Sequence, residues 1–211
     1  KLYQTQLNPH FLYNTLDTIK WNARIHQNPE IPVLAENLAV ILRRSISSQP
    51  FITLCRELET IENYIEIQKI RFAGRFLYET EVPDQLENCL VPKMILQPLV
   101  ENAILHGLAG RENGYICVYA SQSGSLLKVA VTDDGCGMPQ EMVDWVNSHF
   151  PEKREGHVGL YNVIQILKLH YGQEYGMQAQ VVLGEGTTIT ITLPLEREAG
   201  VDCPEPGSGS D

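Results

Sequence analysis

The chain has 211 residues, a net charge of −10, and 43% apolar and 20% charged residues. This length fits one large domain or two small ones, and the composition is that of a globular chain with a substantial core. The acidic balance argues against nucleic-acid binding, which favours clustered lysine and arginine. No uncharged apolar run approaches the roughly 18 residues of a membrane-spanning helix, so we expect no direct membrane contact.

The first third of the sequence, residues 1–75, is predicted to be helical throughout. Three apolar stripes follow the helical repeat. In chain order they are Leu12, Leu16, Ile19 and Ala23, then Leu34, Leu38, Ile41 and Leu42, then Leu58, Ile61, Ile65 and Phe72. Narrow stripes of this kind are usually buried in a bundle, often by pairing with another chain. We therefore interpret residues 1–75 as a helical dimerisation region.

The next part, residues 76–195, alternates strand-like and helix-like segments. Alternating or β-branched residues predict strands over 76–83, 115–121, 126–133, 179–184 and 187–195, and helical runs lie near 93–106, 139–147 and 159–171. A sheet with helices interleaved on one face is the natural packing, so the predicted fold class is α+β. Residues 196–211 are acidic and rich in proline, glycine and serine, which predicts a disordered tail.

The segment LNPHFLYNTL, residues 7–16, places a proline beside a histidine. His10 projects roughly opposite the first apolar stripe, and Asn14 lies on the same outward face. Pro9 lies inside the predicted helix, where it removes a backbone hydrogen bond and should kink the helix. Taken alone, the segment also fits an ordinary surface histidine beside an incidental proline.

A second segment, PKMILQPLVENAILHGL at residues 92–108, predicts a packed helix. Four of its residues share one helix face: Ile95, Leu99, Ala103 and His106. Glu101 and Asn102 lie in the middle of this helix, where asparagine has a poor propensity. An amide oxygen and a carboxylate one residue apart could serve Mg²⁺, which prefers oxygen ligands. A polar helix flank is the alternative interpretation.

The strand predicted over 126–133 ends in Asp133, and Gly135 and Gly137 follow it in VTDDGCGMP. Glycines let the backbone turn tightly and approach a planar ligand. A carboxylate at the end of a strand can accept a hydrogen bond from an exocyclic amine. A simple strand-to-loop turn explains the same residues equally well.

In GHVGLYNVIQIL, Gly159 opens a periodic helix. Free backbone amides and the helix dipole make such a start a ready phosphate site. Residues 138–158, which include Lys153 and Arg154, would then be a mobile cover over the phosphates. A glycine-initiated helix with no ligand is the alternative.

The order of these motifs is more specific than any one of them. An asparagine in a helix, then D-x-G-x-G, then a glycine-opened helix, then G-x-G-T with Gly186 and Thr187 resembles the four ATP-binding boxes of the gyrase, Hsp90, histidine kinase and MutL ATPase superfamily. The preceding NPHFLYNTL, together with ILRRSI, TLCRELETIENYIEIQKIRF and LQPLVENA, is similar to sensor histidine kinases of the autolysin-regulator (LytS) type. The resemblance covers residues 1–195.

The resemblance implies a helical dimerisation region, a four-helix bundle in the dimer, followed by an α/β sandwich. It implies that ATP phosphorylates His10 and that the phosphoryl group then passes to an aspartate on the receiver domain of a response regulator. Asn102 would bind Mg²⁺, with help from Glu101, and Asp133 would hold the adenine amine. The other nucleotide-binding residues would be His106, Gly135, Gly137, Lys153, Arg154, Gly159, Leu160, Gly186 and Thr187.

Two positions depart from the family pattern. The position three after the asparagine is often lysine in such kinases and is Leu105 here, so a phosphate contact would be missing or supplied by Lys153 or Arg154. An acid that serves as a base often follows the phosphoacceptor directly, and that position is Phe11 here. Asn14, one turn on, would orient the imidazole and cannot act as a base.

The kinase interpretation makes the chain the cytoplasmic portion of a membrane-anchored bacterial sensor that acts as a homodimer. Two other functions stay open at this point. A serine kinase or ATPase with the same sandwich would leave the NPHF segment unexplained. A degenerate dimeric signalling module would be consistent with Leu105.

Overall fold

A computed structural model describes residues 9–148, 151–182 and 184–198. Its helices are α1 (Pro9–Ile25), α2 (Glu30–Ile46), α3 (Leu54–Arg71), α4 (Asp84–Glu87), α5 (Gln97–Asn102), α6 (Gln140–Val146) and α7 (Val158–Tyr171). A π-helical turn, Ala103–Gly107, continues α5. The strands are β1 (Phe51–Thr53), β2 (Phe76–Glu81), β3 (Leu90–Pro92), β4 (Gly114–Ser123), β5 (Leu126–Asp133), β6 (Gly176–Val182) and β7 (Gly186–Pro194). Across these ranges, no helix is both long and apolar enough to cross a membrane.

Helices α1 and α2 pack against each other as a hairpin. Asn28 fixes the turn between them, because its side-chain oxygen accepts hydrogen bonds from Glu30 N (3.0 Å) and Ile31 N (3.3 Å). An acceptor at this place satisfies amides that have no partner within the first turn of a helix. Ala23 and Ala35 are buried.

The predicted apolar stripes of α1 and α2 are only partly covered within one chain. Ala23 and Ile41 are buried, whereas Ile19 is 43% and Leu38 is 40% exposed. Other large apolar side chains of the hairpin are exposed as well: Trp21, Ile25, Val33 and Ile46. The hairpin therefore leaves several large apolar side chains exposed within one chain.

Helix α3 packs both on α2 and on the α/β region. Its stripe residues Leu58, Ile61 and Ile65 are buried in a core that they share with the sheet and with helices α5 to α7. The third stripe therefore joins the α1–α2 hairpin to the α/β region, and it is not covered by a helical bundle alone as predicted.

A short strand explains the position of α3. Strand β1 pairs antiparallel with β3, and Leu54 N donates a hydrogen bond to Cys89 O (2.8 Å). The prediction that residues 1–75 are helical throughout was wrong at Phe51–Thr53. A strand of three residues is too short to show the alternation by which strands are recognised in a sequence.

Glu57 is a buried carboxylate of α3 that holds the turn before α5. It is 1% exposed, and its two oxygens accept hydrogen bonds from Met94 N (2.9 Å) and Leu96 N (3.0 Å). Met94 has a positive φ of 61°, a conformation that costs a residue with a β-carbon about 1–2 kcal/mol. Burial raises the pKa of Glu57 in spite of the hydrogen bonds. The carboxylate thus ties α3 to the start of α5.

We expect Glu57→Ala to lower the free energy of unfolding by about 2–6 kcal/mol, because two buried amides lose their acceptor at about 1–3 kcal/mol each. A pH dependence follows as well. Burial raises the folded-state pKa above 4.5, so the contribution of this carboxyl is fully present below the unfolded pKa and is lost as the pH rises through the folded pKa. The unfolding free energy of the wild type minus that of Glu57→Gln should therefore fall with rising pH. Denaturant titrations at several pH values measure this difference, and a constant difference would contradict the prediction.

The α/β region is built on a five-stranded sheet of order β2-β4-β5-β7-β6. Strand β2 runs parallel to β4, and the other neighbours are antiparallel. The strand predicted over 126–133 coincides with β5, and the other four predicted strands overlap β2, β4, β6 and β7. One core joins the sheet to the helices and includes Leu99, Val129, Val143, Ile164 and Ile191. This architecture confirms the predicted helical region followed by an α/β sandwich.

The residues after β7 continue in ordered pairing. Leu90 N donates to Glu196 O (2.8 Å), and Glu198 N donates to Asn88 O (3.1 Å). The predicted disordered tail therefore does not begin at Glu196. The rest of that predicted tail, residues 199–211, lies outside the described part of the chain.

Candidate functional site

Two adjoining cavities lie between α5, its π-helical turn and the start of α7. The first has a volume of about 330 Å³ and is lined by Pro98, Glu101, Asn102, Leu105, His106 and residues 156–160. The second has a volume of about 190 Å³ and is lined by Asn102, His106, Gly107, residues 137–139, Met142, His157 and Thr187. Asn102, His106 and His157 line both cavities, so the two are parts of one candidate site.

The π-helical turn decides which side chains of this segment reach the cavities. Leu108 N donates to Ala103 O (2.9 Å), one residue further along than in an α-helix. Leu99 and Ala103 are buried as predicted, but His106 is exposed. The prediction that His106 shares the apolar face was wrong, because the π-helical turn inserts one residue into the helical repeat and turns this side chain toward the cavities.

Asn102 and Glu101 reach the site from adjacent positions at the end of α5. Asn102 is 8% exposed and lines both cavities, whereas Glu101 is exposed and lines the first. Leu105 lines the first cavity with an apolar side chain. The first cavity therefore contains an amide and a carboxylate, as the sequence predicted, without a cation at the position three residues after the asparagine.

Asp133 is buried at the end of β5, where it is 6% exposed. Its Oδ1 accepts a hydrogen bond from Gly135 N (2.9 Å). Burial raises the pKa of this carboxyl, although hydrogen bonds from the backbone of Gly135 and Thr187 act in the opposite direction. Asp133 does not itself line the cavities, but its neighbours Gly107 and Thr187 line the second one. A β-carbon on Gly107 would lie 2.6 Å from Asp133 Oδ1.

Glycines let the backbone close around Asp133. A β-carbon on Gly135 would overlap a carbonyl oxygen of the π-helical turn, and one on Gly186 would overlap Asp133 O. Gly186 also has a φ of 124°, which favours glycine. Gly137, with a φ of 84°, lines the second cavity. The D-x-G-x-G and G-x-G-T motifs meet here because Asp133 and Thr187 are partners in the register of the sheet.

The start of α7 borders the first cavity. Residues 156–160 line it, so the unpaired amides and the positive end of the helix dipole lie beside this space. Gly159 lies against α5, since a β-carbon there would be 3.1 Å from Pro98 Cβ. Leu160 is 3% exposed and anchors the helix in the core. The helix start and Asn102 thus share one cavity.

The predicted mobile cover, residues 138–158, contains a packed helix. Helix α6 buries Met142 and Val146 in the core. Asn147 exchanges two hydrogen bonds with the backbone of Ala179, of 2.7 and 3.1 Å. Helix α6 is thus tied to β6, and the mobility of residues 138–158 stays a prediction.

The described structure does not place Lys153 or Arg154 among the residues that line the two cavities. Arg154 forms an ion pair with Glu141 and contacts Met142 Sδ (3.4 Å). Lys153 is exposed. A phosphate contact from either side chain stays a prediction.

His157 faces the site and was missed by the sequence analysis. Its ring centroid lies 5.5 Å from that of His106 and 6.2 Å from that of Trp145. Burial lowers the pKa of His157, and the nearby His106 and Arg154 lower it further. A histidine before a glycine-opened helix carries no signal in a single sequence, so its position could be found only from the fold.

Two polar residues support the backbone around Asp133 and were also missed. Arg111 Nη1 donates to Gly135 O (3.1 Å), and Asp134 Oδ1 accepts from Tyr115 N (2.7 Å). Asp134, the second aspartate in VTDDG, could have been singled out from the sequence. Arg111 could not, because it lies in a loop whose path the sequence does not reveal.

His10 lies in α1, on the hairpin and not in the α/β region. Its side chain, like that of Phe11, lies outside the described part of the chain. The helix is described from Pro9 onward, so the predicted kink also lies outside it. Asn14, one turn on, is exposed. The phosphoacceptor role of His10 and the orienting role of Asn14 stay predictions.

The sheet order, the buried aspartate at the end of a central strand and the cavities beside a helix start define an α/β sandwich with a candidate ligand site on its helical side. Residues 90–197 match the family model "Histidine kinase-, DNA gyrase B-, and HSP90-like ATPase", and residues 1–76 match the model "Histidine kinase". The chain therefore belongs to the histidine kinases within this ATPase family. Membership of an ATPase family implies that the chain binds ATP.

Relatives of this chain include several sensor histidine kinases. "Sensor histidine kinase YesM" of Bacillus subtilis is 33% identical over 200 residues, which are 94% of this chain and 33% of that protein. "Sensor histidine kinase YpdA" of Escherichia coli is 32% identical over 92% of this chain and 34% of its own length. "Sensor protein LytS" of Bacillus subtilis is 29% identical over 93% and 34%, respectively. This chain thus spans about a third of the length of these curated relatives.

Solved structures share the fold at low sequence identity. The histidine kinase domain of the blue-light activated histidine kinase from Erythrobacter litoralis EL346 is 19% identical with a TM-score of 0.53, over 89% of this chain and 94% of that one. The histidine kinase ThkA in complex with the response regulator TrrA is 17% identical with a TM-score of 0.51, over 90% and 58%.

Proposed function

We propose that this chain is the catalytic portion of a two-component sensor histidine kinase. It transfers the γ-phosphoryl group of ATP to His10 and then to an aspartate on the receiver domain of a response regulator. One observation carries the proposal: Asn102, the start of α7 and the neighbours of Asp133 converge on one pair of cavities in a chain of the histidine kinase family.

The two cavities suit different parts of ATP. Met138 and Met142 give the second cavity apolar walls for a planar base. The buried carboxylate of Asp133 lies behind Gly107 and Thr187, where it can accept a hydrogen bond from the adenine amine. The first cavity is bordered by the start of α7, which attracts phosphate. The triphosphate would therefore extend from the second cavity into the first.

Asn102 is the residue best placed to hold Mg²⁺. This ion takes oxygen ligands and retains several waters, and the Asn102 amide and the Glu101 carboxylate both reach the first cavity. The described residues include no group of three His, Cys, Asp or Glu that could hold a metal on its own. The ion would thus depend on phosphate oxygens and water for its other ligands. When bound, it would neutralise charge on the phosphates.

The chemistry of the transfer requires movement. Neutral His10 forms a P–N bond with the γ-phosphorus while the bond from phosphorus to the leaving oxygen of ADP breaks. Positioning and electrostatic stabilisation dominate such reactions. His10 lies on α1 and Asn102 on α5, so the α/β region must approach a hairpin, either its own or that of a partner. Asn14 would orient the imidazole.

The proposed partners are a second copy of this chain and a response regulator. The exposed apolar side chains of α1 and α2 support a homodimer, because four helices from two chains would cover them. The fold shared with ThkA, which was solved with the response regulator TrrA, supports a receiver domain as the second partner. The greater length of the curated relatives supports placing this chain in the cytoplasmic part of a membrane-anchored sensor.

We expect light scattering to give a mass near twice 23.8 kDa at micromolar concentration. The double variant Ile19→Glu, Leu38→Glu should be a monomer, since a carboxylate is costly to bury in an apolar interface. Leu169→Glu is the matched control, because Leu169 is 80% exposed and lies on α7. A wild-type mass near 23.8 kDa would contradict the homodimer.

Incubation with γ-labelled ATP tests the proposed function. Acid-labile, base-stable label on the chain is the expected result, since phosphohistidine has this stability. Label only on an added partner protein would favour a serine kinase with the same sandwich. No label and no ATP binding would favour a degenerate dimeric signalling module.

Asp133→Asn should weaken ATP binding by about 1–3 kcal/mol, because the adenine amine loses a charged acceptor. Calorimetry measures the change. Asp134→Asn is the matched control, since the Asp134 carboxylate accepts a hydrogen bond from Tyr115 N, whereas that of Asp133 lies against Gly107 in the wall of the second cavity. If Asp133→Asn binds ATP as the wild type does, Asp133 does not contact the base.

A further inference from the structure

The cavities proposed to hold ATP offer little to balance its charge. Among the described residues, those that line the cavities include no lysine or arginine, and Leu105 occupies the position where a lysine was expected. Glu101 adds a negative charge to the first cavity. Apart from Asn102, the side-chain N–H donors that line both cavities are the imidazoles of His106 and His157. Polar contacts to the phosphates must therefore come largely from these imidazoles and from the backbone.

His157 is held where the two cavities meet. Its ring is tilted by 41° to that of His106 and by 48° to that of Trp145. Trp145 is itself fixed, because its Nε1 donates to Glu152 O (2.8 Å). His157 directly precedes α7, yet its side chain makes no capping hydrogen bond to that helix. The imidazole is thus positioned by the neighbouring rings and does not cap α7.

We propose that His157 is a nucleotide-binding side chain, whose imidazole N–H donates a hydrogen bond to a phosphate oxygen of ATP beside the start of α7. A phosphate on the first amides of α7, at Val158 and Gly159, is within reach of the side chain that precedes them. This role rests on the proposed binding of ATP. His157 would then make the phosphate contact that the sequence analysis assigned to Lys153 or Arg154.

The test compares the affinities of ATP with Mg²⁺ and of adenosine, measured by displacement of a fluorescent nucleotide. His157→Phe keeps a ring against His106 and Trp145 but removes the N–H. We expect it to weaken ATP about tenfold, as for a lost hydrogen bond to a charged group, and to change adenosine binding less than about twofold. His157→Gln, which keeps an N–H donor, should lose less than about threefold. Lys128→Ala is the matched control and should bind both ligands as the wild type does, because Lys128 is exposed on β5 and does not line the cavities. Lys153→Ala tests the rival phosphate contact, and we expect it to change neither affinity.

A second experiment tests whether a lysine in the first cavity restores the ATP affinity that His157→Phe loses. Leu105 lines the first cavity, so adding Leu105→Lys to His157→Phe should restore most of the ATP affinity without a change for adenosine. Equal weakening of both ligands by His157→Phe would assign His157 to the base and overturn the proposal. So would unchanged ATP binding, or a loss seen only in Lys153→Ala. A wild type that binds no ATP would instead overturn the proposed function, and this inference with it.

Discussion

A His10→Gln variant should keep its helical content, its oligomeric state and its affinity for ATP, yet incorporate no label from γ-labelled ATP. Glutamine is a good helix former, so α1 should persist. It has no nitrogen that can form a stable P–N bond, so the acceptor is lost entirely. Labelling should fall to background, which makes this the largest effect that we expect from a single side chain.

His26→Gln is the matched control for His10→Gln. His26 is exposed directly after α1, on the same hairpin, and its replacement should leave labelling unchanged. The other histidines are His106, His149, His157 and His170. Mass spectrometry that finds phosphate on any of these, or undiminished labelling of His10→Gln, would end the assignment of His10.

The second large effect concerns the metal. Asn102→Ala should fold normally and yet lose about 10²–10³-fold in the rate of Mg²⁺-dependent phosphorylation, the usual cost of removing one preorganised polar group from a transition state. The side chain lines both cavities at the end of α5 and is not part of the hydrophobic core. Single-turnover labelling at saturating ATP measures the rate, and circular dichroism checks the fold.

Asn102→Asp separates the metal role from simple packing. It keeps an oxygen of the same size at the same place, so it should retain more activity than Asn102→Ala and require less Mg²⁺ for half-maximal rate. A rate near that of the wild type for Asn102→Ala would show that this amide does not act on the metal.

Regular segments were predictable because their residues repeat. Strand β5 was predicted to the residue, since a run of apolar and β-branched residues ends at Asp133, just before the glycine-rich turn. The D-x-G-x-G and G-x-G-T motifs were found because the tight approach of two backbones leaves room for glycine alone at Gly135 and Gly186. These requirements are local, so a single sequence is enough to recognise them.

Other features were hidden because they depend on contacts between distant segments. The exposure of His106 follows from one extra residue in a helical turn, which a repeat of 3.6 residues cannot anticipate. In the sequence, Glu57 looks like an ordinary polar residue of an amphipathic helix. Its structural role is evident only from its hydrogen bonds with the amides of Met94 and Leu96. The pairing of β1 with β3 joins segments nearly forty residues apart through three residues each. The position of His157 depends on its packing against His106 and Trp145, which a single sequence does not display.

The packing of α3 sets where the ATP-binding unit can be cut from the rest of the chain. A fragment starting at Phe76, the predicted boundary, would lack β1 and α3. It would expose the core surface that Ile61 and Ile65 cover and leave the amides of Met94 and Leu96 without an acceptor. The smallest fragment that should fold on its own therefore begins near Pro50. In the proposed movement, α3 would move together with the candidate nucleotide site. Within the described residues, the short segment between Ile46 and Phe51 connects this piece to the hairpin, so the movement that we propose would have to be accommodated there.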